Sequence, residues 1–150
     1  LFFSTVGFIY DRAHSKTIAD FGGLGTQMPR AVSIFIVAGL CGAGLPGLAS
    51  FWAELLVFLA ALKTYPLVGV LIIGGLVLTA VYILRVFHQA FFGEPNPKWE
   101  FLRDLDMKGW QLLPRAILVG VLLLFGFFPR ILLDVIDGTT TDVLARFWMQ

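Results

Sequence analysis

Apolar stretches separated by short polar segments run the length of this chain. Leu1 to Tyr10 is apolar and gives way to Asp11-Arg12, after which a polar segment extends to Arg30. Ala31 to Leu62 follows with a single ionisable acid, Glu54, and Lys63-Thr64-Tyr65-Pro66 turns the chain. Leu67 to Leu84 carries no charge and continues through Arg85 and His88 to Gly93. A second polar segment, Glu94 to Lys108, precedes Trp110 to Phe128, which Pro129-Arg130 closes. Runs close to the roughly twenty residues that cross a bilayer as a helix predict transmembrane spans. The pattern predicts an all-α integral membrane chain: the end of one helix followed by about three transmembrane helices, the first discontinuous. The boundaries are a helix end over 1–10, a loop over 11–30, a discontinuous helix over 31–64 and a helix over 66–92. A loop over 93–109, a helix over 110–129 and an interfacial tail over 130–150 complete the order.

Composition makes the membrane reading firm. Of 150 residues, 58% are hydrophobic and 14% charged, with a mean hydropathy of +0.86. Soluble domains hold about 45–50% apolar and about 25% charged residues, so the polar surface is too small for a water-soluble globule. Eleven Lys and Arg against ten Asp and Glu leave a net charge of +1, which excludes a nucleic-acid binder and a disordered chain. The one cysteine, Cys41, excludes an internal disulfide. Residues 1–10 are too short to span, and they lack the basic leader and small-residue cleavage site of a signal peptide. They are expected to be the C-terminal half of a helix that begins upstream.

The stretch Ala31–Leu62 is too long for one regular span and short for two. Its middle reads Cys41-Gly42-Ala43-Gly44-Leu45-Pro46-Gly47. Gly42, Gly44, Pro46 and Gly47 are the expected helix break, because proline removes a donor and disfavours helical geometry at the residue before it. As a hairpin, each arm of about fifteen residues would reach roughly 22 Å, short of a hydrocarbon core of about 30 Å. As one traverse, the length suits a tilted, interrupted helix. Charge agrees. One traverse puts Arg12, Lys16, Arg30, Lys98, Arg103, Lys108 and Arg115 on one side and Lys63, Arg130 and Arg146 on the other, seven against three. The hairpin divides them six to four, so the positive-inside rule favours a single traverse with both long loops cytoplasmic.

An interrupted helix is tolerated at membrane depth where its freed backbone groups face protein or a hydrated cavity, and it points to ion sites in transporters. Glu54 lies seven residues past Gly47, about two turns into the second half-helix, with Ser50 at i−4 on the same face. An acid stranded inside a membrane is functional by default, here as a proton-handling group. The competing explanation is a packing or boundary glutamate. Tyr82, Arg85 and His88 form a polar stripe at the cytoplasmic end of the 66–92 helix; it suits a proton relay or equally an interfacial anchor. Lys63 reads as an interfacial anchor and His14 as a solvated loop residue. No His/Cys/carboxylate set has metal spacing and no glycine-rich loop is built for phosphates, so neither a catalytic centre nor a cofactor site is expected in this chain.

These motifs in order resemble a known family: Tyr-Asp-Arg-Ala-His-Ser-Lys at 10–16, Gly-Gly-Leu-Gly-Thr-Gln-Met-Pro at 22–29 and Gly-Leu-Pro-Gly-Leu-Ala-Ser-Phe-Trp-Ala-Glu at 44–54. Phe-His-Gln-Ala-Phe-Phe-Gly at 87–93 and Gly-Phe-Phe-Pro-Arg at 126–130 complete the series. The whole resembles the antiporter-like, proton-pumping membrane subunits of respiratory complex I, of the subunit M or chain 4 type. That resemblance implies inverted repeats, each with one discontinuous helix, of which this chain is about the last quarter. It implies that Glu54 is the acid ending the proton path, where the L and N types and cation/proton antiporters usually carry Lys. It also implies a non-redox subunit of an NADH:quinone oxidoreductase, with NADH or an analogous donor, flavin, Fe–S clusters and quinone in partner subunits. Expected partners are the other membrane and peripheral subunits and the lipid bilayer, with no nucleic acid. The expected location is a bacterial-type cytoplasmic membrane, with an organellar energy-transducing membrane as the alternative. The family's central lysines and second glutamate belong to earlier helices absent here, so the chain would hold only the outer proton half-channel. An Mrp-type cation/proton antiporter subunit and a structural membrane subunit without an ion path are the competing classes.

Overall fold

The computed structural model describes residues 1–148, whose regular elements are all helices, with no strand among the described residues. Helix α1 spans Phe2–Ala13 and stops at His14, which adopts the left-handed conformation (φ 51°) and returns its N–H to the Tyr10 carbonyl at 2.7 Å. Helix α2, Leu24–Gln27, is a single turn leading into α3, Pro29–Gly42, which opens on a proline whose missing N–H costs nothing there. Helix α4 spans Ala49–Thr64, and α5, Pro66–Phe91, again starts on proline. Helix α6 covers Gly109–Phe127 and α7 covers Arg130–Trp148.

The two polar segments pack against each other and form a floor at one end of the helices. The Trp99 indole and the Asn96 amide both donate to the Asp20 carbonyl, at 2.9 and 3.0 Å, and Gln27 donates to the Asn96 carbonyl at 3.1 Å. Phe21 stacks on Trp99 at 5.3 Å between ring centres. Asp106 reaches the start of α3, accepting from the backbone N–H of Arg30 (3.0 Å) and Ala31 (3.2 Å), and from Met107 at 2.7 Å. A helix start leaves orphan donors, and this carboxylate satisfies two of them although Met28, the residue before the helix, offers no cap. Leu24, Met28, Ala31, Leu102 and Met107 are buried between floor and helices. Higher up, Gly39 lies so close to Phe87 that a side chain there would overlap the ring, which sets α3 tightly on α5.

Away from this floor the molecule is apolar outward. Leu67, Leu71 and Leu78 on α5 are 76%, 68% and 69% exposed, and Leu113 and Phe127 on α6 are similar. In water such faces would be an aggregation surface; α5 and α6 are long and apolar enough to cross a membrane, where they meet lipid or other helices.

The element boundaries differ from the sequence expectation in four places. Helix α1 runs three residues past Tyr10, because the Arg12 guanidinium bonds the Phe8 carbonyl (3.1 Å) and the Leu105 carbonyl (2.7 Å) while lying over the Phe8 ring. Helix α3 begins inside the expected loop, where Pro29 presets helical geometry. The expected loop at 93–109 contains 3-10 turns over Pro97–Leu105, and the expected tail is helical over Arg130–Trp148; its last two residues lie outside those described.

Candidate functional site

The candidate site is built on the six residues between α3 and α4. Gly44, with φ +71°, ends α3: its N–H bonds the Cys41 carbonyl at 3.1 Å and the Leu45 N–H bonds the Leu40 carbonyl at 3.1 Å. That pair of bonds is a Schellman closure, in which the left-handed residue is nearly always glycine. Pro46 follows, exposed, and Gly47 is again left-handed with φ +94°. The chain re-enters helix at Ala49 after extended Leu48.

Ser50 bridges the two halves. Its hydroxyl donates to the Cys41 carbonyl, an acceptor that the end of α3 leaves partly free, and sits 3.1 Å from the Cys41 sulfur. Glu54, one turn further along α4, is half-buried and reaches back to the break. Its carboxylate lies against Gly44 so closely that a Cβ on that glycine would overlap Oε2 and stand 3.2 Å from Cδ. The positive end of the α4 dipole and the negative end of α3 therefore meet beside one carboxylate.

A cavity of about 310 Å³ opens at the same place, lined by Gly44, Phe51, Glu54 and, from α5, Leu76, Val77 and Ala80. Glu54 is the one ionisable side chain among its lining residues. The arrangement places a titratable carboxyl in a space large enough for several waters and otherwise apolar. A larger groove of about 590 Å³, between α1, the floor and α5, is walled by Phe2, Phe3, Phe35 and Phe91 and contains no acid.

The residues singled out in the sequence are distributed unequally. Gly44, Gly47, Ser50 and Glu54 come together at the break, while Gly42 is simply the last residue of α3. Tyr82, Arg85 and His88 point outward from α5, on the side away from Ile83, Phe87 and Ala90, and none lines the cavity. Lys63 is exposed at the end of α4. Among the described residues no cluster of His, Cys, Asp or Glu has metal-binding geometry.

Sequence reasoning missed two residues at the site. The Trp52 indole donates to the Gly126 carbonyl at 2.8 Å, and Gly126 lies directly against the Gly47 backbone. The available signal was Trp52 itself, since an indole N–H away from water needs an acceptor. In the floor, Arg12 is partly buried, which lowers its guanidinium from the ordinary value while Asp11 opposes the shift; it stays cationic and holds α1 to Leu105.

Residues 1–79 match the family described as NADH:quinone oxidoreductase/Mrp antiporter, transmembrane. NADH-quinone oxidoreductase subunit M of Rickettsia bellii is 31% identical over 146 residues, covering 97% of this chain and 29% of that protein. NAD(P)H-quinone oxidoreductase chain 4 1 of Trichormus variabilis is 31% identical over 152 residues, covering 96% of this chain and 29% of its own length. The similarly named protein of a Synechococcus species is 34% identical over 161 residues, with 97% and 29% covered. This chain thus spans 29% of the length of these relatives. Among solved structures, the Mrp complex from a Dietzia species superposes with a TM-score of 0.74 at 20% identity, over 89% of this chain and 33% of that one, and shares the fold.

Proposed function

Because this chain belongs to the NADH:quinone oxidoreductase/Mrp antiporter membrane family, we propose that it is a segment of a proton-translocating subunit of a complex I-type NAD(P)H:quinone oxidoreductase. Its part is the outer proton half-channel, centred on Glu54. The observation that carries this reading is the carboxylate seated on Gly44 at the helix break, facing a cavity in which it is the one ionisable group.

The chemistry follows from the parts. The unpaired N–H groups at the start of α4 favour the carboxylate, and the carbonyl end of α3 favours its protonated form or a proton-bearing water. Small changes in hydration of the cavity therefore shift Glu54 between proton acceptor and donor. Electron transfer belongs to partner subunits, which would carry the flavin, Fe–S clusters and quinone site. Tyr82, Arg85 and His88 are the cytoplasmic-end stripe of the same proposal.

Residues 29–64 cross the membrane once, interrupted at 43–48, with the two polar segments on the cytoplasmic side of a bacterial-type membrane. The packing of those segments against each other supports this topology, because a hairpin at the break would separate them by a bilayer. An Mrp-type antiporter subunit is the second reading, favoured by the fold shared with the Dietzia complex; sodium-dependent transport by the assembled complex would select it.

The decisive experiment replaces Glu54 with Gln in the intact complex in inverted membrane vesicles. Pumping is expected to collapse while the complex assembles and retains electron transfer to quinone. Unchanged pumping at normal assembly would remove Glu54 from the path.

A further inference from the structure

The break is held from two sides, and only one of them belongs to the cavity. Glu54 closes on Gly44 from within α4. On the other side α6 touches the loop backbone directly: a Cβ on Gly126 would overlap the Gly47 carbonyl and stand 2.7 Å from the Leu48 Cα. Past the Schellman bonds, the loop's own closures are the backbone bond from Leu48 N–H to the Leu45 carbonyl, at 3.2 Å, and the Ser50 hydroxyl on the Cys41 carbonyl.

Gly126 also lies in the last turn of α6, where carbonyls have no partner within the helix. Its carbonyl accepts the Trp52 N–H at 2.8 Å. Trp52 stands two residues before Glu54 on α4. The contacts therefore close a ring, running from Gly47 to Gly126, to Trp52, along α4 to Glu54, and back to Gly44 in the loop.

We propose that Trp52 and Gly126 form a positioning clasp that fixes the break relative to α4, and so fixes where the Glu54 carboxylate sits. This rests on the reading of Glu54 as the proton-handling group. Neither residue meets the proton. They act through the loop, with the hydrogen bond strengthened by the apolar surroundings.

The test uses the complete complex in vesicles and two variants. Trp52→Phe keeps a large ring and removes the donor, whereas Gly126→Ala adds a methyl where backbone is already in contact. Two quantities are read: the pH profile of proton pumping, and the rate at which a membrane-permeant maleimide labels Cys41, followed on the peptide by mass spectrometry. Cys41 is buried at the end of α3 and reports opening of the break. In Trp52→Phe the pH profile is expected to shift, and Cys41 labelling to quicken about two- to tenfold, the range that one lost hydrogen bond allows. Gly126→Ala should do the same more strongly; if it fails to assemble, Trp52→Phe decides. An assembled Trp52→Phe complex with the wild-type pH profile overturns the proposal, whatever Cys41 does. Glu54→Gln separates the two levels. If that variant pumps normally, the proton-site reading fails. If it abolishes pumping while Trp52→Phe leaves the profile unmoved, the clasp alone fails.

Discussion

Gly44 is the residue on which the geometry of the site turns. Its φ of +71° would cost an alanine roughly 1–2 kcal/mol, and the added methyl would stand where Glu54 Oε2 lies. We expect Gly44→Ala to assemble less well and, once assembled, to pump far below wild type although Glu54 is intact. Proton uptake per electron in the same vesicles measures it, and normal uptake would mean that the carboxylate does not need this seat. Glu54 and the Gly/Pro cluster stand out in the sequence, because an acid alone in a long apolar run and a run of Gly and Pro need no partner to be noticed. Which glycine does what was not legible. Gly42 and Gly44 look alike in the chain, yet one merely ends α3 and the other turns left-handed to close it. Ser50 shares the Glu54 face in the sequence, and in the structure its hydroxyl serves the Cys41 carbonyl, since the first turn of α4 lies beside the last carbonyls of α3.

Helix α3 depends on a cap supplied from seventy-six residues away. Pro29 starts the helix and Met28 has no side-chain acceptor, so Asp106 provides both oxygens to the first donors. Losing such a cap costs about 0.5–2 kcal/mol, and Asp106→Ala is expected to lower the thermal midpoint of the detergent-solubilised complex, with Asp106→Asn intermediate because an amide keeps one acceptor oxygen and sets an N–H donor in place of the other. Equal midpoints for Asp106→Ala and wild type would show that water replaces the carboxylate without loss. A proline start with no capping residue before it hints at such an arrangement, but the distant partner cannot be read from local pattern. The same holds for Arg12 on the Leu105 carbonyl, which lengthens α1 beyond its apolar run. The long apolar helices were legible because their length and composition determine them locally.

The whole molecule is a polar floor carrying helices whose outer faces are apolar. If 29–64 cross once, as proposed, single cysteines placed at Lys16 and Lys98 should label from the cytoplasmic face with a membrane-impermeant reagent, and one at Lys63 from the opposite face. Labelling of Lys16→Cys and Lys63→Cys from one face would instead require the hairpin. The sequence could weigh these topologies by length and charge, whereas the packed floor is visible only when segments distant in the chain meet. That floor has a mechanical consequence. Helix α3 is tethered at its start by Asp106, and the break is pinned by α6 through Gly126. The remaining wall of the cavity is α5, which presents Leu76, Val77 and Ala80 there and packs on α4 through Gly69 against Leu62. Gly74 and Gly75, beside that wall, have open space around them. The chamber is thus bounded on one side by the loop and α4 and on the other by α5, so the room for water beside Glu54 is set by how closely α4 and α5 pack.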